Sequence, residues 1–245
     1  MATPVHATTA AGVTTLTLDS PANRNALSAE LVAELRAAFA AAGADPAVRA
    51  VVLTHTTGTF CSGADLTSPF DPADFVALLR EIADLPKPVV ARVTGHVRAG
   101  GLGLLGVCDI AAAGPQSSYA FTETHLGVVP AVISAPLLPR LDPRAASRYC
   151  LTAEVFDAAE ATRIGLLTLH GEDVDETLKP VLAGLRKAGP EALAATRRLL
   201  TAPVRAALAR DGVALTELSA HHFASAEARE GITARFERRD PSWAR

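Results

Sequence analysis

The chain has 245 residues, of which 49% are hydrophobic and 20% charged, with a formal net charge of -3. That balance is too apolar for disorder and lacks the basic footprint of a nucleic-acid binder, with no lysine or arginine stripe interleaved with aromatics. Aromatics make up only 4% while alanine is abundant, so the core is expected to be built mainly from Ala, Val and Leu. The three cysteines, Cys61, Cys108 and Cys150, form an odd set without metal-ligand spacing and read as reduced thiols. No basic segment followed by an apolar one opens the sequence, and no apolar stretch reaches the roughly 20 residues that span a bilayer. A cytoplasmic protein with no membrane partner is the expectation.

In chain order, Val13 to Leu18 alternates with period two and ends in Asp19-Ser20-Pro21, which predicts a strand and a turn. Ser28 then caps a helix with Leu31, Leu35 and Phe39 on one face, closed by Gly43. A strand is expected over residues 50–54, a helix over 74–85 and a strand over 88–93, the last two separated by Pro86-Lys87-Pro88. Residues 108–113 predict a further strand, ended by Gly114-Pro115. After Pro130 the pattern becomes helical, with predicted helices over 144–151, 158–164, 175–187, 190–200 and 211–228 and one short strand-like run near 166–169. The expected architecture is therefore α/β, with repeated ββα or βαβ turns followed by a helical region.

Two glycine-bearing loops carry most of the chemical information, Phe60-Cys61-Ser62-Gly63-Ala64-Asp65 and Arg98-Ala99-Gly100-Gly101-Leu102-Gly103. Each follows a β-branched apolar run, and the second leads into a helix. Free backbone N–H groups at two such places, aimed at one point, make an oxyanion hole for a carbonyl oxygen that becomes negative during reaction. No dinucleotide fingerprint and no clustered metal ligands occur, so neither a metal nor a redox cofactor is expected.

Taken together, Pro21-Ala22-Asn23-Arg24-Asn25-Ala26-Leu27, Phe60 through Leu66, Leu85-Pro86-Lys87-Pro88, Gly100-Gly101-Leu102-Gly103 and Cys108-Asp109 resemble the ordered landmarks of the enoyl-CoA hydratase/isomerase, or crotonase, superfamily. The resemblance continues through Glu123, Gly127 and Pro130, Leu151-Thr152 and Phe223 to Gly231, over about residues 13–243. It implies a spiral of ββα units over residues 1–190, a helical region over 191–245 used in packing and oligomerisation, and a homotrimer or homohexamer. It further implies an acyl-CoA thioester substrate, with coenzyme A as part of that substrate and not a cofactor.

By the same resemblance, the oxyanion donors are the N–H groups of Ala64 and Gly100, and Glu123 is the acid/base. A carboxyl buried beside Phe121 and Leu126 is expected to bind its proton more tightly than usual. Arg24, Ala26, Ser62, Asp65, Leu66 and Arg98 are implied in substrate or CoA binding, and Phe236 and Arg238 in the adenine pocket of a neighbouring subunit. The second glutamate of the hydratases is implied at position 148, where this chain has Arg148. Arg148 either turns inward and pairs with Glu123 or turns to solvent, and His125 and Glu154 are possible substitutes in proton relay. A missing acid leaves three readings open: hydration, double-bond isomerisation with one carboxylate, or a thioester-binding homologue with little catalysis.

Overall fold

The computed structural model describes residues 3–68 and 71–244. Its organising unit is a long strand, a short strand and a helix, repeated along the chain. The first full unit is β3 (Ala50–His55), β4 (Thr59–Cys61) and α2 (Pro72–Asp84). The next is β5 (Val89–Val93), β6 (His96–Arg98) and α3 (Gly100–Val107). In the third, β7 (Ile110–Ala113) and β8 (Ser118–Ala120) lead through a 3-10 turn at Thr124–Leu126 to α4 (Ala131–Leu137).

The long strands and the short ones build two different sheets. An amino-terminal hairpin of β1 (Val5–Ala10) and β2 (Val13–Leu18) starts the larger sheet, whose order continues β3, β5, β7 and β10 (Leu169–His170). Apart from the hairpin, its neighbours are parallel. The smaller sheet runs β4, β6, β8 and β9 (Phe156–Asp157), parallel until its antiparallel last pair.

β3 shows why the apolar runs of the sequence are continuous. All six of its residues are buried, with Val51 and Leu53 in the main core and Val52 in a second core with Val13, Val90, Ala112, Val174 and Leu178. Both faces of a parallel sheet are covered by helices, so neither face can be polar. The second core is closed by α7 (Val174–Lys187), on which Val174 and Leu178 lie.

The remaining helices are α1 (Ala29–Ala44), α5 (Pro143–Thr152), α6 (Ala158–Arg163), α8 (Pro190–Leu200), α9 (Ala202–Phe223) and α10 (Ala226–Glu237). Ser28 caps α1 by accepting a hydrogen bond from the Leu31 N–H. α9 packs across α2 and α4, and α10 lies against the turn at 124–126. Residues 190–237 are thus filled by α8, α9 and α10, of which α9 folds back over α2 and α4.

Several expectations need correction. The single helix expected over 211–228 is two helices, because Ser225 ends one and caps the next by accepting from the Ala228 N–H. The strand expected from Cys108 starts at Ile110, since Cys108 closes α3 through its N–H to Leu105. The carboxyl-terminal half also contains the unexpected β9, while the strand-like run expected near 166–169 is β10, shifted to Leu169–His170; each is two residues long.

One buried ion pair ties the helical region to the spiral. Arg197 of α8 donates Nε–H to Asp109 at 2.6 Å and three further N–H groups to the carbonyls of Ile82, Ala83 and Leu85 at the end of α2. Asp109 also accepts from the Val89 N–H at 2.7 Å. Removing one partner strands the other charge and several helix-end carbonyls. Arg197→Ala is therefore expected to cost about 3–5 kcal/mol in denaturant unfolding, whereas a loss below about 1 kcal/mol would mean that the pair behaves like an exposed one.

Candidate active site

The two glycine loops follow the short strands β4 and β6, which stand side by side in the smaller sheet. The first loop is clamped from outside. Leu27 donates its N–H to the Gly63 carbonyl at 2.8 Å and accepts from the Asp65 N–H at 3.1 Å, forming a parallel bridge opposite Ala64. Both neighbours of Ala64 are thereby fixed, while its own N–H has no partner among the described residues.

The second loop turns at Ala99, whose φ of 47° lies in the left-handed region that a non-glycine residue enters at a cost of about 1–3 kcal/mol. Its N–H is held by the Ala120 carbonyl at 3.2 Å. Gly100 then begins α3, where the first N–H groups have no acceptor within the helix and carry the positive end of its dipole.

Glycine at 63 brings the loops together. Gly63 has φ +95°, and a β-carbon there would stand 2.8 Å from the Ala99 β-carbon and 3.6 Å from the Gly100 nitrogen. Ala64 and Gly100 line one cavity of about 570 Å³. Glu123 lines the same cavity.

Glu123 leaves β8 and enters the 3-10 turn, accepting at its carbonyl from the N–H groups of Leu126 and Val128. Its side chain is 7% exposed, and Oε2 is buried without a partner among the described residues. Burial raises its pKa to about 7, against a smaller opposing hydrogen bond from its own N–H. The carboxyl is thus poised to exchange a proton near neutrality.

Asp65 is the other acid among the described lining residues, and its environment is of a different kind. Burial acts to raise its pKa, but hydrogen bonds from Thr67, Asn23 and the Ser68 N–H together hold it below the usual carboxylate range. It is an ionised brace for the 65–68 segment. Gly103, one turn into α3, faces Ile133 and Phe75, with the Ile133 methyl 2.7 Å from where a β-carbon would stand. Phe75 and Ile133 both line the cavity, so this wall is apolar. Among the described residues, the site has one acid suited to proton transfer.

The enoyl-CoA hydratase/isomerase family model matches residues 8–245. The chain belongs to that family. A crystal structure of an enoyl-CoA hydratase from Mycobacterium avium is 47% identical, covers 100% of both chains and superposes with a TM-score of 0.93. A Thermus thermophilus relative bearing an enoyl-CoA hydratase name is 33% identical over 91% of this chain and 94% of its own. The crotonyl-CoA hydratase of Syntrophomonas wolfei is 29% identical over 91% of both. The mixed α/β spiral described above is the fold of these enoyl-CoA hydratase/isomerase family structures.

In this family member the cavity gathers Arg24, Ser62, Ala64, Asp65, Leu66, Arg98, Gly100 and Glu123 from the residues singled out in the sequence. It leaves out Ala26, which is buried and donates its N–H to the Asn23 carbonyl. His125 is exposed on the turn after Glu123 and does not line the cavity. Phe236 is exposed at the end of α10, which Arg238 caps, and neither lines the cavity. Cys61 is buried, and burial pushes its thiol up to about 12, which leaves no thiolate for nucleophilic attack.

Of the two orientations open for Arg148, the structure has the outward one. Its side chain is 60% exposed on α5, bonded to Glu154 at 2.6 Å and set against the Tyr149 ring. It faces solvent, not Glu123, and Glu154 is spent on it. Arg148 does not line the cavity that holds Glu123. Arg148→Ala is expected to leave turnover within about twofold, as surface substitutions do, and a tenfold loss in kcat would show that the position reaches the site.

Residues from the carboxyl-terminal helices were not legible in the sequence. Ser219, Ala220 and Phe223 of α9 and Ile232 and Arg235 of α10 all line the cavity. Their spacing of three or four is a face signal, but reading one helix over 211–228 hid the bend that turns both faces inward.

Proposed function

We propose that the protein is an acyl-CoA-processing enzyme in which the thioester oxygen is bound by the N–H groups of Ala64 and Gly100 and Glu123 carries the proton. The observation that supports this reading most is a single buried carboxyl with its pKa raised to about 7, in the same cavity as two loops with free N–H groups. Asp65 is held ionised and the α3 wall is apolar, so the chemistry must run on one acid.

One carboxylate suffices to move a double bond. Glu123 takes a proton from the α-carbon of a 3-enoyl thioester, and the electrons of that C–H bond form a double bond between the carbonyl carbon and the α-carbon. The C=O π pair moves onto the thioester oxygen between the two N–H donors, the α–β double bond forming only when the β–γ pair takes up a proton at the γ-carbon. When the proton returns to the γ-carbon, the charge collapses and the 2-enoyl thioester results. The N–H groups contribute because they are already oriented before charge develops. Hydration is the second reading, favoured by the names of the relatives. There Glu123 removes a proton from water as oxygen bonds the β-carbon, and then delivers that proton to the α-carbon.

The two are separated by supplying a 3-enoyl-CoA and a 2-enoyl-CoA and following conjugated-thioester absorbance. Gain from the first with no loss from the second marks the isomerase; loss from the second marks the hydratase. Tight binding with no turnover of either would overturn the enzymatic reading. Because the base form of Glu123 starts the isomerisation, its kcat/KM is expected to rise with pH and level off above about 7. A profile that falls through that pH would assign Glu123 the acid role in the first step.

A further inference from the structure

Resting on the thioester reading, the geometry points to an anion subsite at the wall made by β6 and α10, where Arg98 and Arg235 receive a carboxylate carried on the acyl group. Both arginines line the cavity. Neither has a carboxylate partner among the described residues, whereas Arg36, Arg92, Arg163 and Arg239 are each paired to one.

Arg98 is built into the wall. One Nη donates to the carbonyls of Val97 and Ser118 at 2.9 and 2.7 Å, and the other to Ser118 Oγ at 2.9 Å. Those bonds fix the plane of the guanidinium and leave its Nε–H without a protein partner among the described residues. Burial, and then the nearby charge of Arg235, both weaken its hold on its proton.

Arg235 is exposed on α10, and it is the helix that is fixed from the other side. Its helix lies so close to the turn after Glu123 that a β-carbon on Gly231 would stand 2.5 Å from the Leu126 carbonyl oxygen, and one on Gly127 2.6 Å from the Glu227 carbonyl carbon. Ile232, three residues earlier on α10, lines the cavity beside it. The wall is therefore a cationic pair set in an apolar face, the arrangement that takes a carboxylate in charge-assisted bonds.

The position along the substrate favours the acyl side. Only Ala99 separates Arg98 from Gly100, which places their α-carbons within about 7.6 Å. The phosphates of coenzyme A are removed from the thioester by the whole pantetheine arm. Glu123 owes its shift to burial with no arginine contribution, so the cationic pair does not neutralise the acid. The anion and the reacting carbon then occupy separate places, as in an enoyl thioester whose far end is a carboxylate.

The test compares an enoyl thioester ending in a carboxylate with its terminal amide, each made on CoA and on dephospho-CoA, using the full chain. The wild type is expected to favour the carboxylate by about 30-fold in kcat/KM. Arg98→Met and Arg235→Met should each lower that ratio about tenfold or more, with the CoA to dephospho-CoA ratio unaltered. Absence of a carboxylate preference, its survival in both variants, or losses that follow the 3′-phosphate would each overturn the subsite. Should Arg98→Met fail to fold, Arg235→Met decides alone, since Arg235 is exposed on its helix. If no thioester turns over, calorimetric binding of saturated carboxylate- and amide-ended acyl-CoA carries the test. A carboxylate preference there supports the subsite while the catalytic reading fails, and equal binding overturns the subsite.

Discussion

Glu123→Gln is expected to lower kcat by about 10³-fold while leaving thioester binding largely intact, because it removes the group that exchanges the proton and keeps its shape. The same substitution is expected to stabilise the fold above neutrality. Glu123 binds its proton more tightly in the folded state, with a pKa of about 7 against an ordinary 4.5. The folded state therefore holds more protons between those values, and stability falls as pH rises through that window. Above about 7 the ionised, buried carboxylate carries the full penalty, on the order of 3 kcal/mol. Glutamine carries none of it. Unfolding at pH 8 should show the variant more stable than the wild type, with the advantage shrinking toward pH 5. A variant that is inactive and less stable at pH 8 would point instead to a structural role for the carboxyl.

Gly63→Ala is the second large effect expected. An alanine at φ +95° is strained by about 1–2 kcal/mol before any contact is counted. Its methyl then meets the Ala99 β-carbon at 2.8 Å, on the very turn that presents Gly100. Since Ala99 is itself in the left-handed region, that turn has little room to yield. The loops must separate, and the distance between the Ala64 and Gly100 N–H groups grows with them. We expect kcat/KM to fall by about 10²–10³-fold, the loss typical of a misplaced oxyanion donor. Gly58→Ala is the control, because a β-carbon there meets nothing within 4 Å. Equal losses in both variants would sever the link between loop contact and catalysis.

The parts of the fold legible in the sequence were those where one physical signal dominates. The Ser28 cap, the proline stops around Lys87 and the continuous apolar run of β3 each have one local cause, and each marks an element the structure contains. The short strands β4, β6 and β8 were not legible, because three residues are too few for periodicity and they exist only by pairing with one another. The amino-terminal hairpin was hidden for another reason. Its turn is Ala11-Gly12, with Ala11 at φ 48° where asparagine or aspartate usually gives the signal.

The site divides along the same line. Ala64 and Gly100 lie beside glycines, Glu123 lies four residues before Gly127, and the structure gathers all three around one cavity. Arg148 was placed by its offset from Leu151-Thr152, but an offset along α5 does not say which face of that helix turns inward. The exposed ion pair with Glu154 answers that. Arg235 had no sequence signal of its own, since its place depends on α10 docking against the turn after Glu123.

Enolisation itself, apart from whether a double bond then moves or water adds, is the step assigned to Glu123 and the two N–H donors. A saturated acyl-CoA incubated with the protein in deuterium oxide should take up deuterium at the α-carbon. Uptake is expected from the wild type, faster as pH rises to about 7, and is expected to be lost in Glu123→Gln. Bound thioester with no uptake by the wild type, or equal uptake by Glu123→Gln, would contradict that assignment.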